Sequence, residues 1–347
     1  MTRLDPSAAL STNHRDLVMV SVLGQIANPV AAANPYRIGH DGLARILPGT
    51  GGIVINQRIG DRCIGLMADH IEPGVALHNN QREVIGSRRG PNLAMLTYAC
   101  VGNRARVISG PCTGQLGLVT GKHGGVDHVL VDFPGPVLLR LQIGDRIQIY
   151  SCGLGLRLLD YPDVSLSNCS PSLLRRLGIL EQNGRLVIPV THSIPAAAMG
   201  SGLGKNNPWR GDTDIQLSDP VLRRRHRLGS LRFGDIVAIC DGDARFGPSR
   251  RSGRVSIGVI VHGDSTVSGH GPGVSMLFTG PARRLLPVRD PRANLAALYR
   301  VREPAAPREW TPLGGSRAIR GGAPPAVTRV TAGHAPAHSP TLSGPQQ

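Results

Sequence analysis

Residues 104–133 read RARVISGPCTGQLGLVTGKHGGVDHVLVDF, and this stretch decides the fold class. Segments 105–108, 115–120 and 128–132 are short and β-type, and the Gly-rich sequence between them supplies tight turns. Working outward, the same grammar recurs at 18–23, 52–55 and 146–150, and again at 235–240, 255–262 and 274–279. With 45 Gly and 28 Pro among 347 residues, short strands are favoured over long helices. An apolar residue followed by Gly-Asp precedes a strand three times, at Ile59-Gly60-Asp61, Ile143-Gly144-Asp145 and Phe233-Gly234-Asp235. There the Gly supplies a turn and the Asp carboxylate can bond the backbone just ahead of it.

A chain of this length exceeds one ordinary core. The expected architecture is therefore mainly β, with two barrel- or sandwich-like domains at 17–158 and 185–302. Residues 159–184 read as a helical connection, because Ser170 caps, Pro171 opens, Leu173, Leu174 and Leu177 form a stripe, and Gly178 closes a short helix. A last helix is expected over 292–299. Residues 1–16 read as a flexible N-terminus, and 303–347 read as a disordered tail on their Pro, Ala, Gly, Ser and Thr content.

The formal charge is +16, which raises the question of an acidic partner. Aromatic residues are only 3 %, so few rings are available to stack on bases, and nucleic acid is the less favoured partner. The six cysteines, Cys63, Cys100, Cys112, Cys152, Cys169 and Cys240, form no C-x-x-C pair, which suits reduced thiols in a cytoplasmic protein. No stretch is long and apolar enough to span a bilayer, so no membrane partner is expected.

Polar chemistry concentrates in turns. Asp69-His70-Ile71-Glu72 places an imidazole and a carboxylate on alternate positions of an extended chain, a beginning for a divalent metal or an acid–base pair. His262-Gly263-Asp264 leads into Ser268-Gly269-His270-Gly271, where His270 has little local packing and Gly269 and Gly271 let backbone approach a bound group. Asp241 and Asp243 alternate at a strand end and are read as a carboxylate pair for a hard cation. Gly200, Gly202, Gly204 and Lys205 resemble a phosphate loop but lack the Walker spacing, which leaves a looser anion nest. The basic run Arg223, Arg224, Arg225 and Arg227 is placed in a loop.

Residues 35–42, 47–52, 68–74, 199–204 and 268–273 together resemble the domain-of-unknown-function 4438 family over roughly 18–287. That resemblance implies a soluble, β-rich prokaryotic protein and brings no activity or catalytic residues. Segment 235–243 is also similar to the acetamidase/formamidase group of metal-assisted amide hydrolases, without its His-rich and Gln-Gly-Asp-Gly-Glu elements. The leading expectation is a small-molecule or metal site of hydrolase type, with Asp69, His70, Glu72 and His270 as catalytic groups. Its metal ligands would come from His70, Glu72, Asp241, Asp243, Asp264 and His270, and it requires the two His clusters to meet. The alternatives left open are a basic RNA or polyanion module using Arg104, Lys122, Arg223, Arg224, Arg225 and Arg227, and a non-catalytic homo-oligomer.

Overall fold

Six strands close on themselves into a barrel. They are β1 (Val20–Ile26), β2 (Gly74–His78), β3 (Arg104–Val107), β4 (Leu116–His123), β5 (His128–Asp132) and β6 (Arg146–Ser151). The computed structural model describes residues 10–31, 36–81 and 90–302; the tail expected at 303–347 and the first nine residues lie outside them. Strand order is β1-β6-β3-β4-β5-β2, and Gln25 of β1 pairs with His78 of β2 to complete an antiparallel barrel. Closure leaves none of the six as a free edge. In β3 the exposed Arg104 and Arg106 alternate with the buried Ala105 and Val107. Val75, Leu77, Val119, Val129, Val131, Ile147 and Ile149 fill the interior beside Ala105 and Val107.

The C-terminal half builds a second sheet from β7 (Ser165–Leu166), β8 (His192–Pro195), β9 (Thr213–Asp214), β10 (Ile236–Asp243), β11 (Ser249–Ile260) and β12 (Gly273–Pro281). Its order is β7-β12-β11-β10-β8, with β9 also on β12. β5 is buried along its whole length because its other face meets this half. Ala76 and Leu130 there share a cluster with Leu186, Ile257 and Val261.

Local expectations translate directly. Gly60, Gly144 and Gly234 take φ of +91°, +89° and +79°. Asp61, Asp145 and Asp235 then each accept the amide three residues earlier, at 2.8, 2.9 and 2.9 Å. Ser170 caps the helix Pro171–Arg176 by accepting from Leu173 N at 3.0 Å, and Asn294 caps Leu295–Leu298. Between 159 and 184 the chain also carries β7 and the strand Leu180–Gln182. Residues 10–16, expected to be flexible, include a 3-10 turn at His14–Asp16 and a bridge from Thr12 to Leu158. The basic run is not a loop, since Arg223, Arg224 and Arg225 end the helix Pro220–Arg225, which Asp219 caps.

Candidate metal centre

Four chain segments bring their polar side chains to one place. The turn after the short strand Ile53–Val54 carries Asp69, His70 and Glu72, with His70 in the left-handed region at φ 57°. Non-glycine residues held there cost of order 1–3 kcal/mol and persist where surroundings over-determine them, often at functional sites. The β4–β5 hairpin pairs His123 with His128, β9 adds Asp214 beside Asp212, and the stretch between β11 and β12 adds His262 and His270.

His70 and His270, 200 residues apart, touch: His70 Nε2 lies 3.0 Å from His270 Nδ1. Asp214 Oδ2 completes a triangle, 3.5 Å from His70 Nε2 and 3.1 Å from His270 Nδ1. The other carboxylate oxygen of Asp214 reaches His262 Nε2 at 3.5 Å, and Asp212 Oδ2 stands 2.7 Å from that same nitrogen. His123, Asp212 and His262 thus form a second group of converging ligand atoms beside the first, with His123 and His262 ring centroids 4.2 Å apart. His270 is the most open member, with about a third of its side chain exposed, whereas the His262 side chain is fully buried.

Three imidazoles are tethered at Nδ1, leaving Nε2 for the interior. Asp69 Oδ1 holds His70 Nδ1 at 3.0 Å and itself accepts from Ser265 Oγ at 2.6 Å. Glu72 Oε1 holds His123 Nδ1 at 2.7 Å, and the Gly263 carbonyl holds His262 Nδ1 at 2.9 Å. This pairing of an outer acceptor with each ring sets tautomer and orientation in metal sites. Glu72 also contacts His128 Nδ1 at 3.0 Å. Burial opposes its charge, yet bonds from His123 and His128 hold the Glu72 carboxyl well below its usual range. Burial likewise opposes ionisation of Asp214, and His262, His270 and His70 overcome it. The imidazole of His262, despite burial, is carried well above its ordinary value by Asp212 and Asp214. His70 rises in the same way under Asp214 and Asp69. A cleft of about 560 Å³ with Leu47, Pro48, Ile53, Val126 and Arg37 on its walls reaches Asp69 and His70.

Other expected site residues fall elsewhere. Asp241 is the irregular residue of β10 at φ 58°, where the register with β11 shifts, so strand alternation does not align it with Asp243. Asp243 is held by Arg245 at 2.8 Å and Arg254 at 3.3 Å, and Asp241 accepts from Gly253 N at 2.9 Å. Asp264 accepts from Gly65 N at 3.3 Å, and only its backbone carbonyl meets His70, at the amide. The glycine loops serve packing. A Cβ at Gly200 would strike the Gly269 carbonyl and one at Gly271 the Ile215 carbonyl, so both loops close on β9. The amides of Gly200, Ser201, Gly204 and Lys205 bond backbone carbonyls and so are not free donors for an anion. Lys122, expected on a basic surface, is 0 % exposed, donates to Asn168 Oδ1 at 2.6 Å and is lowered by burial to about 8.

Sequence reasoning did not select His123, His128, Asp212, Asp214 or His262 as ligands. Two signals were available: alternate aspartates in Gly211-Asp212-Thr213-Asp214, and two histidines flanking the Gly124-Gly125 turn.

Family models for the N-terminal and C-terminal parts of a domain of unknown function, DUF4438, match residues 36–175 and 176–299. Among solved structures, the crystal structure of TM1086 is similar, at 42 % identity and a TM-score of 0.77, covering 83 % of this chain and 98 % of that one. No curated protein matches. Among the described residues no helix is long and apolar enough to cross a membrane.

Proposed function

The chain belongs to the DUF4438 family, and from its own residues we propose that it is a metal-assisted hydrolase holding a zinc-class divalent ion between His70, Asp214 and His270. The His123–Asp212–His262 group, joined to the first through Asp214, offers a second ion site. One observation carries this reading. Tetrahedral zinc with bonds of 2.0–2.1 Å sets its ligand atoms about 3.3 Å apart. The three edges of the His70–Asp214–His270 triangle are 3.0, 3.5 and 3.1 Å.

Charge supports the same reading. Asp69, Glu72, Asp212 and Asp214 crowd one buried region, where unpaired carboxylates are expensive. A divalent ion offsets them; the same carboxylates raise the pKa of His70, through Asp214 and Asp69, and of His262, through Asp212 and Asp214. Two imidazoles and one carboxylate leave a fourth tetrahedral position open. An ion there supplies Lewis acidity. The protein's own work is to aim the rings through Asp69, Glu72 and the Gly263 carbonyl, and to admit a small substrate by the cleft that reaches His70.

The test is elemental mass spectrometry of the purified protein and a His70→Ala/His270→Ala variant, followed by a screen of amides and esters with the metal-loaded protein. Stoichiometric metal in the wild type and its loss in the variant is expected. A wild type that takes up no zinc, manganese or cobalt when these are supplied refutes the centre.

A further inference from the structure

Four arginines line one groove on the outside of the barrel, with no carboxylate among its walls. Arg104 and Arg106 are alternate exposed residues of β3, so they leave the same face about 7 Å apart. Arg175 and Arg176 end the Pro171–Arg176 helix and line the same groove, of about 910 Å³. No Asp or Glu lines it. Among the described residues none of the four has an ion-pair partner; Arg176 rests on the Tyr299 ring at 4.9 Å and donates to the Leu298 carbonyl. Four cationic side chains facing one groove attract an anion.

Apolar residues flank the β3 arginines on both sides. Tyr150 of β6 stands opposite Arg104, and the half-exposed Leu116 of β4 stands opposite Arg106. Cationic side chains beside an aromatic ring fit a ligand with phosphates at one end and a planar ring at the other. The volume suits a small molecule rather than a polymer. We propose that this groove binds a nucleotide, with its phosphates on Arg104, Arg106, Arg175 and Arg176 and its base against Tyr150. It shares no residue with the His/Asp centre and stands independently of it.

The experiment is equilibrium binding of a fluorescent ATP analogue to the full chain in magnesium-free buffer at 50 and 500 mM salt. Unlabelled ATP, inorganic phosphate and a single-stranded oligonucleotide serve as competitors. Saturable binding of one analogue per chain, weakened at high salt and displaced by ATP, is expected. Arg104→Ala/Arg106→Ala weakens it at least tenfold, and Arg175→Ala/Arg176→Ala on the facing wall provides the same reading should the first pair fold poorly. Tyr150→Leu weakens ATP more than inorganic phosphate. His70→Ala/His270→Ala binds like wild type, which separates this site from the metal centre. No saturable binding, binding indifferent to both arginine pairs, or displacement by the oligonucleotide but not by ATP would overturn the proposal.

Discussion

Gly273 is the position where one methyl group tests the geometry of the centre. A Cβ there would strike Asp212 Oδ2 and both Nε2 and Cδ2 of His262, far inside the roughly 3.5 Å at which heavy atoms sit comfortably. His262 is 0 % exposed, and its ring is held on the other side by the Gly263 carbonyl, so it has nowhere to go. Overpacking alone costs about 1–3 kcal/mol. Parting a buried ion pair costs about 3–5 kcal/mol when one partner is left alone. The methyl only partly separates the 2.7 Å His262–Asp212 pair. Gly273→Ala should therefore cost about 3 kcal/mol, which lowers Tm by about 6–12 °C at about 2–4 °C per kcal/mol. Gly135→Ala is the control, because its Cβ enters open space and Tm should hold or rise slightly. Thermal unfolding by circular dichroism reads both, and elemental analysis of the survivors reads metal content. A Gly273→Ala protein within about 2 °C of wild type, with its metal content intact, would show that the pair is not packed as described.

Other perturbations should separate the working parts. Asp69→Asn leaves the fold in place but removes the carboxylate from His70 Nδ1, so metal affinity measured by chelator competition should fall about 10–100-fold. Asp241→Asn/Asp243→Asn should keep the full metal content, since Asp243 belongs to Arg245 and Arg254; metal loss there would return both aspartates to the site. Burial, with Arg232, Arg289 and Arg227 nearby, holds His192 down to about 4, against 6.5 for a free imidazole. The unfolded chain takes this proton first, so stability is lost as pH falls from 6.5 towards 4, by up to about 3 kcal/mol. His192→Asn should flatten that part of the urea-denaturation profile, and an unchanged slope would argue that His192 titrates normally in the folded protein.

Alternation and turn chemistry are local, and they alone determined much of this protein. Residues 104–133 read as strands because short β-type segments are separated by Gly-rich turns, and three of those strands are barrel staves. The Gly-Asp turns and the Ser170 cap followed from positive φ and short side-chain reach. Asp69, His70, Glu72 and His270 stood out because polar groups in Gly-rich turns have no local packing to explain them. Only the tertiary structure decided the rest. His70 meets His270 across 200 residues through barrel closure and the burial of β5, which no short-range period encodes. His123 and Asp214 look like ordinary strand residues, and Asp212 and His262 like loop residues, until four segments are packed together. Asp241 and Asp243 fail as a pair because one irregular residue in β10 turns the first away. Sequence spacing fixes which face a side chain takes within its own element; only the packing of elements fixes what that face meets.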